Sequence, residues 1–142
     1  MSIIHGYRDL DVWQKAMDLV EHSYRLTNDL PKSEGFGLKA QLRRASISVP
    51  SNIAEGQGRA TTRDDVRHLA IAHGSLMEVE TQIQIAGRLG FIPENKVLPF
   101  LEESAKVGRM LNALSSSLRS RIACGGFEAR DERRSCGAVP CP

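Results

Sequence analysis

Cysteine is missing from the first 123 residues of this 142-residue chain, and the three present (Cys124, Cys136 and Cys141) crowd its last stretch. An odd number so placed argues against a disulfide framework around the core, and no C-x-x-C pair offers a zinc site. Free thiols suit a reducing cytoplasm. Aromatic residues make up only 5%, so no interleaved aromatics offer bases a stacking platform. No apolar run approaches the ~20 residues a membrane helix needs. Met1 to Arg8 carries none of the apolar run of a signal peptide. A dominant charge is missing too: 19 Lys and Arg stand against 17 Asp and Glu, a formal net charge of +2. That is too little to argue nucleic-acid binding by itself, so local clusters must carry any such argument.

Catalytic signatures are equally scarce. There is no G-x-S-x-G and no Walker-type loop, and Gly56-x-Gly58 is a lone glycine pair. His68 and His73 are five residues apart, so on a helix they diverge by roughly 140° and do not share a face. The i, i+3 Glu-x-x-His pair of di-iron bundles is absent. Glu55, Glu78 and Glu80 supply carboxylates, but such groups on bundle helices are more often structural. The expectation is therefore no enzyme, no metal and no cofactor.

What the chain does have is helical periodicity. Leu10, Trp13, Met17, Val20 and Tyr24 recur at steps of three and four, predicting a first helix from near Asp9 to Asn28. Asp9 is its candidate cap. Leu38, Leu42, Ala45, Val49 and Ile53 predict a second, from Phe36 to Glu55, with Pro50 inside it. An interior proline removes a backbone hydrogen bond and costs about 3 kcal/mol. The helix either stops at Val49 or continues with a kink at Pro50, and Ile53 and Ala54 keep the period past it, favouring the kink. Gly56 to Ala60 reads as a turn. Thr62-Arg63-Asp64-Asp65 resembles a capping box that opens a third helix running to Leu89, with Gly90 as its stop. A fourth follows Pro93 and reaches Ile122. The fold class is all-α: an up-down-up-down four-helix bundle over residues 1–122, with a disordered tail over 123–142. The third helix is apolar beyond one stripe, and the second has small residues (Ala40, Ser48, Ser51, Ala54) off its own. Either the core is well filled or a second surface is buried, most simply against another subunit.

One polar constellation stands out. Arg43 and Arg44 lie on the second helix, Arg59 in the turn, and Arg63 and Arg67 at the start of the third. The N-terminus of a helix favours anions, and arginines beside it make a phosphate of RNA or DNA a sensible ligand. Arg43, Arg44, Arg59 and Arg63 are the candidate nucleic-acid contacts. Asp64 and Asp65 oppose them, and salt bridges, within or between subunits, are the competing use.

Three stretches also resemble a known family. They are Leu10 to Ala16 (LDVWQKA), Gln41 to Gly56 (QLRRASISVPSNIAEG) followed by Gly58-Arg59, and Ala72 to Glu80 (AHGSLMEVE). Their order, over roughly Tyr7 to Leu118, is similar to that of the 23S ribosomal RNA intervening-sequence proteins. The resemblance implies a bacterial four-helix bundle. It also implies kinship with the accessory variability protein of diversity-generating retroelements, a homopentamer with a basic surface that binds nucleic acid and works with a reverse transcriptase. On that footing a homo-oligomer, a pentamer, is expected, with RNA, DNA or an RNA-binding protein as partner. The family's recurring polar positions fall here on Arg43, Arg44, Asn52, Glu55, Arg59, Ser75 and Glu78. Asn52, Glu55, Ser75 and Glu78 are read as a structural polar network. Two functions stay open: an oligomeric bundle that binds nucleic acid or a ribonucleoprotein through a basic surface, or a protein-protein scaffold whose arginines make subunit or partner contacts.

Overall fold

A computed structural model describes residues 6–125. Four helices account for most of them: α1 (Asp11–Thr27), α2 (Leu38–Gln57), α3 (Thr62–Arg88) and α4 (Glu94–Gly125). Short 3-10 turns at Tyr7–Asp9 and Lys32–Glu34 precede α1 and α2. No β-strand occurs among the described residues.

Local chemistry fixes the helix ends. The Glu34 carboxylate accepts the Leu38 N–H at 3.3 Å and so caps α2 from the preceding turn. Thr61 caps α3, its hydroxyl accepting the Asp64 N–H at 3.1 Å. The cap is thus one residue earlier than the Thr62 pattern suggests, because Thr61 has the extended backbone a cap requires. Asp9 is not the cap of α1: it belongs to the 3-10 turn, and Leu10 takes that place without a side-chain bond. Gly90 ends the α3 connection at φ 77°, a conformation that costs other residues strain. Pro93 precedes α4, and its carbonyl accepts the N–H groups of Lys96 and Val97.

α2 continues through Pro50, as the favoured reading has it, and runs two residues past Glu55 to Gln57, with Pro50 itself buried. Gly56 is therefore helical, not part of a turn. α4 also runs three residues beyond Ile122, so positions 123–125 are helix rather than tail; the rest of the expected tail, 126–142, lies outside the described residues. Cys124, in the last turn of α4, is disulfide-bonded, at the end of the bundle and not within its core.

The core is aliphatic. Leu19, Leu42, Val49, Ile53, Ala72, Leu76, Val79, Ile83, Val107 and Leu111 are essentially inaccessible, and among the described residues Phe100 is the one fully buried aromatic side chain. Each large member contributes about 1.5–3 kcal/mol by burial. Consecutive helices pack on one another, and α1 closes against α4. Cross-helix bonds run in opposite directions along each pair. Thr27 and Ser23 of α1 meet Arg43 and Ser46 of α2. Ser48 and Asn52 of α2 meet Ser75 and His68 of α3. His22 of α1 reaches Glu103 of α4 at 2.6 Å, while Lys96 at the start of α4 reaches Asp29 beyond the end of α1. Each of these pairs is thus antiparallel.

The tightest approach is between α2 and α3. A Cβ added at Gly56 would fall 2.7 Å from Asp65 Oδ1 and 2.8 Å from His68 Cβ. At Gly58, two residues on, it would meet only carbonyl oxygens at 3.6 Å. Gly56→Ala should therefore lower unfolding stability by about 1–3 kcal/mol, as overpacking does. Gly58→Ala should change it little. Urea denaturation of both variants checks the contrast.

Candidate functional site

The sequence-predicted arginines diverge because neighbours on a helix point about 100° apart. Arg43 turns toward α1. Its Nε donates to Thr27 Oγ1 at 2.9 Å, and one Nη donates to Asn28 Oδ1 at 3.0 Å and the Tyr24 carbonyl at 3.3 Å. Its guanidinium also lies 4.3 Å from the Tyr24 ring centroid, a cation–π distance. Arg43 is therefore bound up in fastening α2 to the end of α1. Arg44 turns outward, exposed, to the rim of the groove between α2 and α3.

Arg59 and Glu55 are an exposed i, i+4 ion pair at the end of α2. That hydrogen bond, aided by the nearby His68, Arg59 and Arg67 charges, holds the Glu55 carboxyl below its ordinary range, against a smaller opposing effect of desolvation. Arg67 pairs loosely with Asp64 at 3.8 Å. Arg63 is exposed in the first turn of α3, and among the described residues no ion pair engages it or Arg44.

Of the expected polar network, Asn52 and Ser75 are joined, through Ser48. Asn52 Nδ2 donates to the Ser48 carbonyl and to Ser48 Oγ, both at 2.9 Å. Ser48 Oγ lies 2.8 Å from Ser75 Oγ. Asn52 Oδ1 is 3.2 Å from His68 Nδ1. Since the amide donates elsewhere, Nδ1 carries the hydrogen there. His68 Nε2 then faces the Glu55 carboxylate at 3.9 Å and has no hydrogen-bond partner among the described residues. Glu78 stands apart from this network: it accepts from Gln82 Nε2 at 3.3 Å and lines the outer groove with Arg44.

Sequence reading missed the residues that join these parts. Ser48 is the hinge of the network, and His68, weighed only as a metal ligand, is a buried link from α3 to α2. Their signal was weak: His68 sits one turn before Ala72 on the core side, and Gly56 inside a helix marks a close neighbour. Among the described residues no three His, Cys, Asp or Glu side chains converge to hold a metal. No helix of the described chain is long and apolar enough to cross a membrane.

Residues 8–113 match the family described as 23S rRNA-intervening sequence protein. The chain belongs to that family. Among solved structures, one similar fold is a protein of unknown function from the S23 ribosomal protein family of Bacteroides thetaiotaomicron VPI-5482. It is 20% identical, superposes with a TM-score of 0.68, and the alignment covers 73% of this chain and 97% of that one. At that identity the likeness speaks for the four-helix fold alone. No curated protein matches this chain.

The two adjacent arginines should separate in a stability measurement. Arg43→Ala removes charged hydrogen bonds across α1 and α2, an expected loss of about 1–3 kcal/mol. Arg44→Ala should stay within about 0.5 kcal/mol of the parent. Thermal and urea unfolding of the two variants give the comparison.

The depressed Glu55 titration has a definite sign. A carboxyl held low in the folded state adds stability above its unfolded pKa, and that contribution is lost as pH falls through the lowered value. In Arg59→Ala, an NMR titration should show the Glu55 midpoint moving back up toward the ordinary carboxylate range.

Proposed function

We propose that this member of the 23S rRNA-intervening sequence protein family is a non-enzymatic, self-associating helical module that binds RNA through phosphate contacts. The observation that carries the reading is the pair of exposed arginines, Arg44 on α2 and Arg63 on α3, that no ion pair engages among the described residues. Arg59 and Arg67 lie in the same part of the chain with their charges only partly offset, each at one exposed carboxylate. Arg63 also stands in the first turn of a 27-residue helix, where backbone N–H groups favour an anion. The family's own name supplies ribosomal RNA as the first ligand to try. No part of this reading needs a reaction.

Self-association has its own observation. Met17 on α1, Ile47 on α2, and Ile71 and Ile85 on α3 are each about 40% exposed. Several large apolar side chains left in water on adjacent helices suit coverage by another copy. The pentamer implied by the resemblance is the stoichiometry expected. The scaffold reading, with the arginines at subunit contacts, is weaker for Arg43 and Arg59, whose partners are found within the chain.

Fluorescence anisotropy with a single-stranded RNA, from 50 to 300 mM salt, tests the proposal. Affinity should fall steeply with salt, and Arg44→Ala/Arg63→Ala should weaken binding and make the salt slope shallower by about 0.7 per lost contact. Light scattering should show the double variant with the parent's mass. No binding at low salt would overturn RNA binding. A double variant that dissociates would move the arginines to the subunit interface.

A further inference from the structure

The groove between α2 and α3 holds a cleft of about 180 Å³ lined by Gln41, Arg44, Ala45, Ser48, Ser75 and Glu78. This is far below a drug-sized site and equals about six water volumes at ~30 Å³ each. Its floor is made of small side chains, Ala45, Ser48 and Ser75. Its α2 wall carries the guanidinium of Arg44 and the amide of Gln41, and its α3 wall carries the carboxylate of Glu78.

These opposite charges share one small cleft, yet no ion pair joins Arg44 to Glu78. Glu78 is instead held by Gln82, whose Nε2 donates to it at 3.3 Å. Gln82 is 7% exposed, and its Oε1 is buried without a partner among the described residues. A buried acceptor left unsatisfied is costly. That buried amide does not line the cleft; what the α3 wall presents is the exposed carboxylate of Glu78, opposite an Arg44 guanidinium that no ion pair engages.

We propose that this cleft takes one unpaired guanine base of the bound RNA. The inference rests on the RNA-binding reading and adds to it a sequence preference. Guanine offers two acceptors, O6 and N7, on one edge, the pattern that arginine recognises in a bidentate way. On its Watson–Crick edge it offers two adjacent donors, N1–H and N2–H₂, which a carboxylate accepts together. Adenine, cytosine and uracil lack adjacent paired donors, so none satisfies Glu78 in the same way. Single-stranded RNA is commonly read in this manner, by splayed bases bonded along their edges.

The test uses the full chain in two measurements. Anisotropy compares a uridine decamer with decamers carrying one central G, A or C. Guanine should tighten binding about tenfold, and the others little. Glu78→Gln and Arg44→Lys should erase that preference; Arg44→Lys keeps the charge and loses the fork. NMR titration with GMP and AMP probes the cleft directly. Saturable shifts at the Ser48 and Ser75 amides with GMP alone would support the guanine site even if longer RNA failed to bind, a result that would sink only the polyanion reading. Equal affinity for all four decamers, or shifts with neither nucleotide, would overturn the guanine site and leave phosphate binding to stand on its salt dependence. Loss of oligomer mass in Glu78→Gln, read by light scattering, would assign the groove to a neighbouring copy and overturn it as well. Both positions are on the surface, and unchanged circular dichroism confirms folded variants.

Discussion

The close approach of α2 and α3 at Gly56 governs the rest of the candidate site. With only a hydrogen where other residues carry a Cβ, the end of α2 comes within contact of Asp65 and His68 on α3. That proximity buries His68 and brings it to Asn52. Farther along the same seam, Ser48 and Ser75 are small enough to touch through their hydroxyls. The outer groove with Arg44 and Glu78 on its walls lies over this stretch. A bulkier residue at Gly56 would push the helices apart and disturb each of these contacts together.

The bundle solves two different burial problems with different means. Aliphatic side chains fill most of the core, as a sequence with few aromatics requires. Where polar groups are buried they are mostly linked in short chains: Ser23 donates to Ser46, which donates to the Arg43 carbonyl, and Thr27 donates to the Ser23 carbonyl while accepting from Arg43. Such satisfied chains fix one register of α1 on α2 at little net cost. Among the described residues His68 Nε2 and Gln82 Oε1 are the exceptions, and both lie on α3.

Identical side chains acquire different uses through helix geometry. Arg43 and Arg44 are adjacent in sequence, yet one is bound into the α1 junction and the other stands in solvent. Arg59 and Glu55 form a local pair that the i, i+4 spacing predicts, and that pair tempers the charge at the end of α2. The basic character of the surface is thus smaller than a count of arginines suggests, and it depends on which of them the neighbouring helices leave uncommitted.

The sequence alone determined the number, type and approximate limits of the helices, because a 3.6-residue apolar period depends only on local order. Gly90, Pro93 and the threonine-aspartate start of α3 marked connections for the same reason, with errors of a residue or two where several cap chemistries compete. The motif segments also placed the chain in its family. Tertiary structure decided what those local signals do not encode. It put Gly56 inside a helix at a contact instead of in a turn, and joined Asn52 to His68 across sixteen residues. It also divided the arginines between structure and solvent, and set Glu78 apart from the network it was expected to join. Each of these depends on which face of one helix meets which face of another, a relation between distant segments that no local pattern states.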